Sequence, residues 1–271
     1  MQYMLTNDAM QIANEWQKYK GYTVRPLDST TSYYQKIIRD NIQKENFLIY
    51  GGTPEIRSIF QNYSLYVTLL DRSEEIIRAM GYLTLERVPI ASNESFIKEN
   101  WLCIEETKRK YDLILGDDAI NMVRWCDFDL FLYNAHRLLV EDGLFVCHLL
   151  VKPYDHFIDQ DFFDIVNQYH RKTILSQFDL ASRLNFICYD KNSYAMGWQR
   201  TITMLGKKRL AVLNTQFDFV DTFKFCNSQF YCPPQMQFEQ LVQRYFKIVE
   251  IFYPHEHEYC LFEPVYCLQR K

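Results

Sequence analysis

Gly51 and Gly52 stand side by side in a chain of 271 residues that has only eight glycines, so the backbone there has a use for them. They follow the apolar run Phe47-Leu48-Ile49-Tyr50 and lead at once into Thr53-Pro54-Glu55. Small residues at such a turn let a ligand approach the backbone, and the free N–H groups of a helix start attract negative charge. Roughly twenty residues further on, Asp71 ends a second apolar run, where a carboxylate can accept both hydroxyls of a ribose. Each feature alone also has a plain structural explanation, a tight strand-to-helix turn for the glycines and a helix N-terminal charge for Asp71. Together they indicate a nucleoside-containing cofactor without saying which.

The elements that must position these residues are legible in the pattern. Phe47–Tyr50 reads as a strand buried on both faces. Thr53 as N-cap, Pro54 at the first helical position and Glu55 in the first turn predict a helix to about Gln61. A second strand is expected over Leu65–Leu70, then a helix begun by Ser73 and stopped at Gly81. A short strand at Ser95–Lys98, a strand at Tyr111–Leu115 closing on Gly116-Asp117-Asp118, and a helix carrying Phe128, Phe131, Ala135, Leu138 and Leu139 come next. Glu141-Asp142-Gly143 turns the chain into a strand over Leu144–Val151. Alternating strands and helices predict an α/β fold with a mostly parallel sheet, helices on both faces, and ligands at the carboxyl ends of the strands. The first forty-five residues read as a helical cap in two pieces, the second over Ser32–Gln43. Residues 153–234 lose the alternation and are crowded with aromatics, among them Phe162, Phe163, Tyr169, Phe178, Tyr194, Trp198, Phe217, Phe219 and Phe230. They read as an inserted mixed or helical cap, whose aromatics suit an acceptor pocket or simply its own small core. Residues 235–271 supply a last helix (Gln237–Tyr245) and an antiparallel hairpin of Phe246–Phe252 with Tyr259–Leu268, in which Pro264 demands a bulge or an edge.

The segments Gly51-Gly52-Thr53-Pro54-Glu55, Leu70-Asp71-Arg72-Ser73, Glu99-Asn100-Trp101, Leu115-Gly116-Asp117-Asp118 and Arg137 to Phe145 stand in consistent order and spacing. In them the chain resembles the class I, Rossmann-like S-adenosylmethionine-dependent methyltransferases over about residues 45–155. It is most similar to a subgroup whose first motif reads Gly-x-Thr-Pro-Glu. The resemblance implies a cofactor-binding core at residues 46–152 that takes S-adenosylmethionine and releases S-adenosylhomocysteine. It implies that Tyr50, Gly51, Gly52 and Thr53 pass beneath the methionine part of the cofactor and that Asp71 holds the ribose. Arg72 and Ile76 would flank the adenine, and Asn100 and Trp101 would lie along its edge. Gly116, Asp117 and Asp118 would meet the amino-acid end near the sulfonium. Three positions depart from the family pattern: Tyr50 for an acid, Asn100 for an acid, and Asp118 for a glycine. Two alternatives stay open: a different Rossmann enzyme using a nicotinamide cofactor, which predicts a second phosphate-binding glycine that Thr53-Pro54-Glu55 does not provide, and a catalytically degenerate relative that keeps the fold as a binding module.

Other residues are weaker candidates. His148, Lys152, Tyr154 and His156 follow the last core strand; His148, His156 and Tyr154 are candidate bases for a hydroxyl acceptor, and each also suits a core or solvated role. His255-Glu256-His257-Glu258 with Cys260 reads as a charged hairpin turn, and no metal is assigned. Lys207-Lys208-Arg209 reads as a solvated turn or a phosphate contact. A net charge of −4 disfavours nucleic acid as the acceptor and favours a small molecule. No run of eighteen apolar residues suggests a membrane span, the N-terminal residues lack the pattern of a secretion signal, and eight scattered cysteines suggest a reduced, cytoplasmic protein. The oligomeric state is not readable.

Overall fold

A computed structural model of the protein describes residues 13, 14, 16, 25–104, 109–174, 177–214 and 229–271, with 177, 178 and 214 described by backbone alone. Most of the first predicted helix, Phe217, Phe219 and Cys226 lie outside the described residues, as does the side chain of Phe178. The chain divides into two compact units, one formed by residues 1–120, 126–149 and 236–271 and the other by 121–125 and 150–235.

The first unit is built on a seven-stranded sheet. In chain order its strands are β1 (Phe47–Tyr50), β2 (Val67–Asp71), β3 (Glu94–Lys98), β4 (Tyr111–Asp117), β5 (Leu139–His148), β8 (Phe246–Phe252) and β9 (Val265–Arg270); β6 and β7 belong to the other unit. Their spatial order is β3-β2-β1-β4-β5-β9-β8. The first five are mutually parallel, and β9 runs antiparallel to both β5 and β8. Helices α1 (Asp28–Asp40), α2 (Pro54–Asn62), α3 (Glu74–Gly81) and α4 (Phe128–Leu138) precede the inserted unit, and α9 (Gln235–Val242) follows it.

Alternation along the central strands explains how both faces are covered. Phe47, Ile49, Leu113 and Leu115 join one apolar cluster with Tyr34, Ile37 and Ile38 of α1 and Ile56, Ile59 and Phe60 of α2. Tyr50 points the other way, its ring 5.2 Å from Phe131 of α4 and 6.0 Å from Phe145 of β5. Arg57 of α2 is fully buried and satisfied: it pairs with the buried Glu94 (Nη2 to Oε2 2.6 Å) and donates to the carbonyls of Ile77 and Pro89. This tie fixes the end of β2–α3 against the start of β3.

Several boundaries differ from expectation: β2 starts at Val67 rather than Leu65, β5 ends at His148 rather than Val151, and the last helix spans Gln235–Val242 rather than Gln237–Tyr245. Helix α1 starts at Asp28 and ends at Asp40, earlier than the predicted Ser32–Gln43. Strand β5 begins at Leu139, with Asp142 in the left-handed region (φ 61°) and a register shift opposite Tyr111 and Leu113, so Glu141-Asp142-Gly143 irregularly extends the strand. The stretch Tyr259–Phe262, predicted as the start of a strand, belongs to a 3-10 helix over Glu258–Phe262, and β9 starts only after Pro264. Tyr259, Cys260 and Phe262 are buried there, which made the segment read as strand, whereas a proline just before the strand costs no ladder donor.

The second unit holds α5 (Asp155–Ile158), α6 (Phe162–His170), α7 (Gln177–Ile187), α8 (Trp198–Asn214) and a small antiparallel pair of β6 (Ala195–Met196) with β7 (Phe230–Tyr231). Asn121 staples it, donating to the carbonyls of Leu150 (2.8 Å) and Tyr231 (2.7 Å) while accepting from the Leu150 amide. Phe157, Phe162, Phe186 and Trp198 are buried in the unit's own core, and Phe163 is exposed. Lys207-Lys208-Arg209 does not form a turn: it continues α8 beyond a kink at Gly206 (φ 68°).

Candidate functional site

The parallel strands end on one edge of the sheet, and the residues singled out in the sequence gather there. Tyr50 is paired with Leu70 of β2 on one side and Gly116 of β4 on the other, and Asp117 of β4 is paired with His148 of β5. Gly51 leaves β1 with φ +88°, a conformation L side chains rarely adopt, and its amide donates to the Leu70 carbonyl. A Cβ on Gly51 would lie 4.0 Å from Asp71 Oδ2 and 3.9 Å from the Trp101 ring. Gly51, Asp71 and Trp101 therefore converge on one point. Gly52 has a different role, since a Cβ there would meet Ile77 of α3 at 2.9 Å. It lets α3 pack close.

Local sequence explains the pose of each group. Thr53 is the N-cap residue of α2 and Pro54 opens it, as the motif predicts. Glu55 pairs with Arg25 and accepts from the Trp16 indole, so this motif acid anchors residues that precede α1. Burial raises its pKa, and the Arg25 cation opposes that. Asp71 Oδ1 accepts from the Ser73 amide at 2.7 Å, which holds the carboxylate while Ser73 caps α3 through the Ile76 amide. Burial pushes the Asp71 carboxyl upward, and that hydrogen bond works against the rise. The Trp101 indole donates to the Leu70 carbonyl at 2.8 Å, so its ring is fixed beside the Gly51 bend. Arg72 is exposed and Ile76 half-buried at the α3 start. Asn100 is exposed, and its side-chain oxygen is engaged locally by the Leu102 amide.

Beyond Gly116 the edge becomes a buried charged cluster. His148 Nδ1 lies 3.2 Å from Asp117 Oδ1 and 3.1 Å from Asp118 Oδ1, with His148 only 2% exposed. Neither ring nitrogen has hydrogen-bond geometry to a partner, so these contacts are ion pairs. Burial favours a neutral imidazole, but Asp118 and Asp117 outweigh it and hold the His148 pKa well above the ordinary histidine value. Burial likewise raises the Asp118 carboxyl against the pull of His148. Asp118 adopts φ 53°, in the left-handed region that favours glycine. Tyr34 of α1 donates to Asp117 Oδ1 at 2.8 Å, and Glu263, fully buried, faces the same charges. Neither Tyr34 nor Glu263 carries a sequence signal of this role, because both arrive from segments remote from the motifs. Tyr154 and His156 lie in the second unit, and Lys152 there pairs with Asp155 at 2.6 Å.

No protein-family model matches the chain, and no curated protein matches it by sequence. Solved structures do resemble it. A putative Zn-dependent alcohol dehydrogenase from Rhodobacter sphaeroides superposes with a TM-score of 0.61 at 13% identity, over 98% of this chain and 100% of that one. The CcbJ methyltransferase from Streptomyces caelestis gives 0.58 at 10% identity, over 99% of each chain. The N-methyltransferase NodS from Bradyrhizobium japonicum WM9, in complex with S-adenosylhomocysteine, gives 0.53 at 9% identity, over 98% and 99%. At such identities the likeness concerns the fold. The antiparallel β9 between β5 and β8 separates this sheet from the all-parallel 3-2-1-4-5-6 order of nicotinamide-binding domains. The fold is the Rossmann-like fold of the class I methyltransferases.

Proposed function

We propose that the chain is an S-adenosylmethionine-dependent methyltransferase, of the subgroup with a Gly-x-Thr-Pro-Glu first motif, acting on a small molecule. The observation that carries this reading is the convergence of Asp71 Oδ2 and the Trp101 ring on the Gly51 bend at the carboxyl edge of the sheet. A carboxylate, an aromatic wall and a bare backbone at one point suit a ribose and the base attached to it. In this reading Gly51, Gly52 and Thr53 border the amino-acid part, with Tyr50 beneath. Asp71 accepts the ribose hydroxyls, and Arg72, Ile76, Asn100 and Trp101 surround the adenine. Gly116, Asp117 and Asp118 face the amino-acid end. Asp117 and Asp118 set two carboxylates against the one imidazole of His148 at that end, which suits a cationic ligand.

S-adenosylmethionine, when bound, supplies a methyl group on a cationic sulfur that leaves as a neutral thioether. The protein's part is alignment of the acceptor and exclusion of water. His148 is held protonated between two carboxylates, so it is poorly suited to take a proton at neutral pH. That favours an acceptor that needs no base, a neutral amine or a thiolate, over a hydroxyl. The negative net charge of the chain favours a small acceptor over nucleic acid. No described helix is long and apolar enough to cross a membrane.

A second reading, a binding module without turnover, draws on the local engagement of Asn100 and the enclosure of Asp118. Calorimetry with S-adenosylmethionine and S-adenosylhomocysteine tests the cofactor. Binding of both supports the enzyme, and heat from neither overturns it. S-adenosylhomocysteine formation with amine and thiol acceptors separates the enzyme from the module.

A further inference from the structure

A second group of metal-ligating side chains lies in the link between β8 and β9, outside the motif segments, and shares only Glu263 with the surroundings of the His148 cluster. His257 caps the 3-10 helix Glu258–Phe262, Cys260 lies within it, and Glu263 follows it. One nitrogen of His257, the Cys260 sulfur and one Glu263 oxygen all lie within 4.8 Å of one another. His257 Nδ1 is 3.6 Å from Cys260 Sγ, and His257 Nε2 is 3.9 Å from Glu263 Oε2.

The second observation is Glu263 itself. Its side chain is fully buried, and neither carboxylate oxygen has a hydrogen-bond partner. His257 Nε2, aimed at it, also has none. A buried carboxylate is costly unless it is paired, protonated or bound to a metal, and among the described residues no cation sits within hydrogen-bond reach of this one. Burial raises Glu263 to about 8, with His148 opposing and Asp118, Glu256 and Asp117 adding to the rise. Burial also lowers the His257 pKa, which leaves the imidazole neutral with a lone pair to offer. Burial raises the Cys260 thiol, which a metal ion would deprotonate on binding.

We infer that His257, Cys260 and Glu263 form a transition-metal site suited to Zn2+. One nitrogen, one thiolate and one carboxylate are the donor types zinc takes in tetrahedral sites, with water or the second Glu263 oxygen completing the set. Ligand atoms around tetrahedral zinc lie about 3.5 Å apart, given its ordinary bond lengths. The present spacings, all within 4.8 Å, are wider than that, and since Cys260 faces Nδ1 and Glu263 faces Nε2 of His257, metal entry requires side-chain rotation so that one nitrogen serves the ion. Hard cations such as Mg2+ are disfavoured, because the thiolate is a soft donor. Binding is Cys260–SH and the Glu263 carboxylic acid plus Zn2+ giving the Zn–thiolate and Zn–carboxylate and two released protons, with no redox change. The ion would pin the β8–β9 link and stabilise the fold by linkage.

The test uses the full chain, stripped of metal by a chelator under reducing conditions and titrated with Co2+ and then Zn2+. Expected are one bound metal per chain by mass spectrometry after gel filtration and a near-ultraviolet thiolate-to-cobalt charge-transfer band. C260S should lose the band, and H257A and E263Q should lose the bound equivalent. Glu263→Gln places a neutral isostere at a buried position without partners, so this variant keeps the fold when Cys260→Ser does not. H255A, altering a neighbour outside the triad, should bind like wild type. Failure of wild type to retain either metal overturns the inference. So does binding unchanged by C260S and E263Q, or lost only in H148Q, which would move the site to Asp117, Asp118 and His148.

Discussion

Asp71→Asn isolates the charge that the proposed ribose contact depends on. Asp71 Oδ1 accepts from the Ser73 amide at 2.7 Å, and an asparagine carbonyl can keep that bond and the α3 cap. Asp71 Oδ2, the oxygen nearest the Gly51 bend, becomes an amide nitrogen. A hydrogen bond to a charged acceptor is worth about 1.5–3 kcal/mol and one between neutral groups about 0.5–1.5, so each ribose hydroxyl loses about 1–1.5 kcal/mol. Two hydroxyls give about 2–3 kcal/mol, or roughly 30- to 150-fold weaker binding. The assay is calorimetric titration with S-adenosylhomocysteine, which cannot turn over, alongside thermal unfolding without ligand. The unfolding midpoint should hardly move while the Kd rises by that factor. Because burial raises the Asp71 pKa, wild-type affinity should also fall as the pH drops through it, whereas the affinity of D71N should stay level. Wild-type and D71N affinities within twofold of each other would refute the ribose assignment.

Three further outcomes follow from the packing. E94A leaves the buried Arg57 guanidinium without its counterion and should destabilise by about 3–5 kcal/mol in urea unfolding, whereas the double variant R57M/E94L should be less damaged. G81A should cost at least about 2 kcal/mol, because its Cβ would sit 2.1 Å from the Pro89 carbonyl oxygen and 2.4 Å from that of Val88, both backbone; a midpoint equal to wild type contradicts the packing described. The folded pKa of His148 is raised above the unfolded value near 6.5, so its contribution is complete below about pH 6.5 and lost as pH climbs through the raised pKa. H148Q should flatten that alkaline decline in stability, and an identical pH profile would count against the ion-pair cluster.

The elements at the carboxyl edge of the sheet were largely legible in the sequence because their determinants are local. A buried four-residue run, two glycines and a Thr-Pro start define β1, the bend and α2 within ten residues, and Asp71 ends β2 as its apolar run predicts. Crossover handedness then brings both strand ends to one edge, so their adjacency needed no coordinates. Apolar character, by contrast, misled at Tyr259–Phe262, where a run that looked like strand folds as part of a 3-10 helix ahead of Pro264. The same limit hid Glu263 and Tyr34. Nothing in a sequence marks a glutamate as stripped of water and partners, or a helical tyrosine as a donor to Asp117 across 83 positions. Short-range rules govern turns, caps and strand ends, because neighbouring atoms set those energies. The protonation of His148 and the chemistry open to His257, Cys260 and Glu263 were decided only when the tertiary fold enclosed distant charges together, away from water.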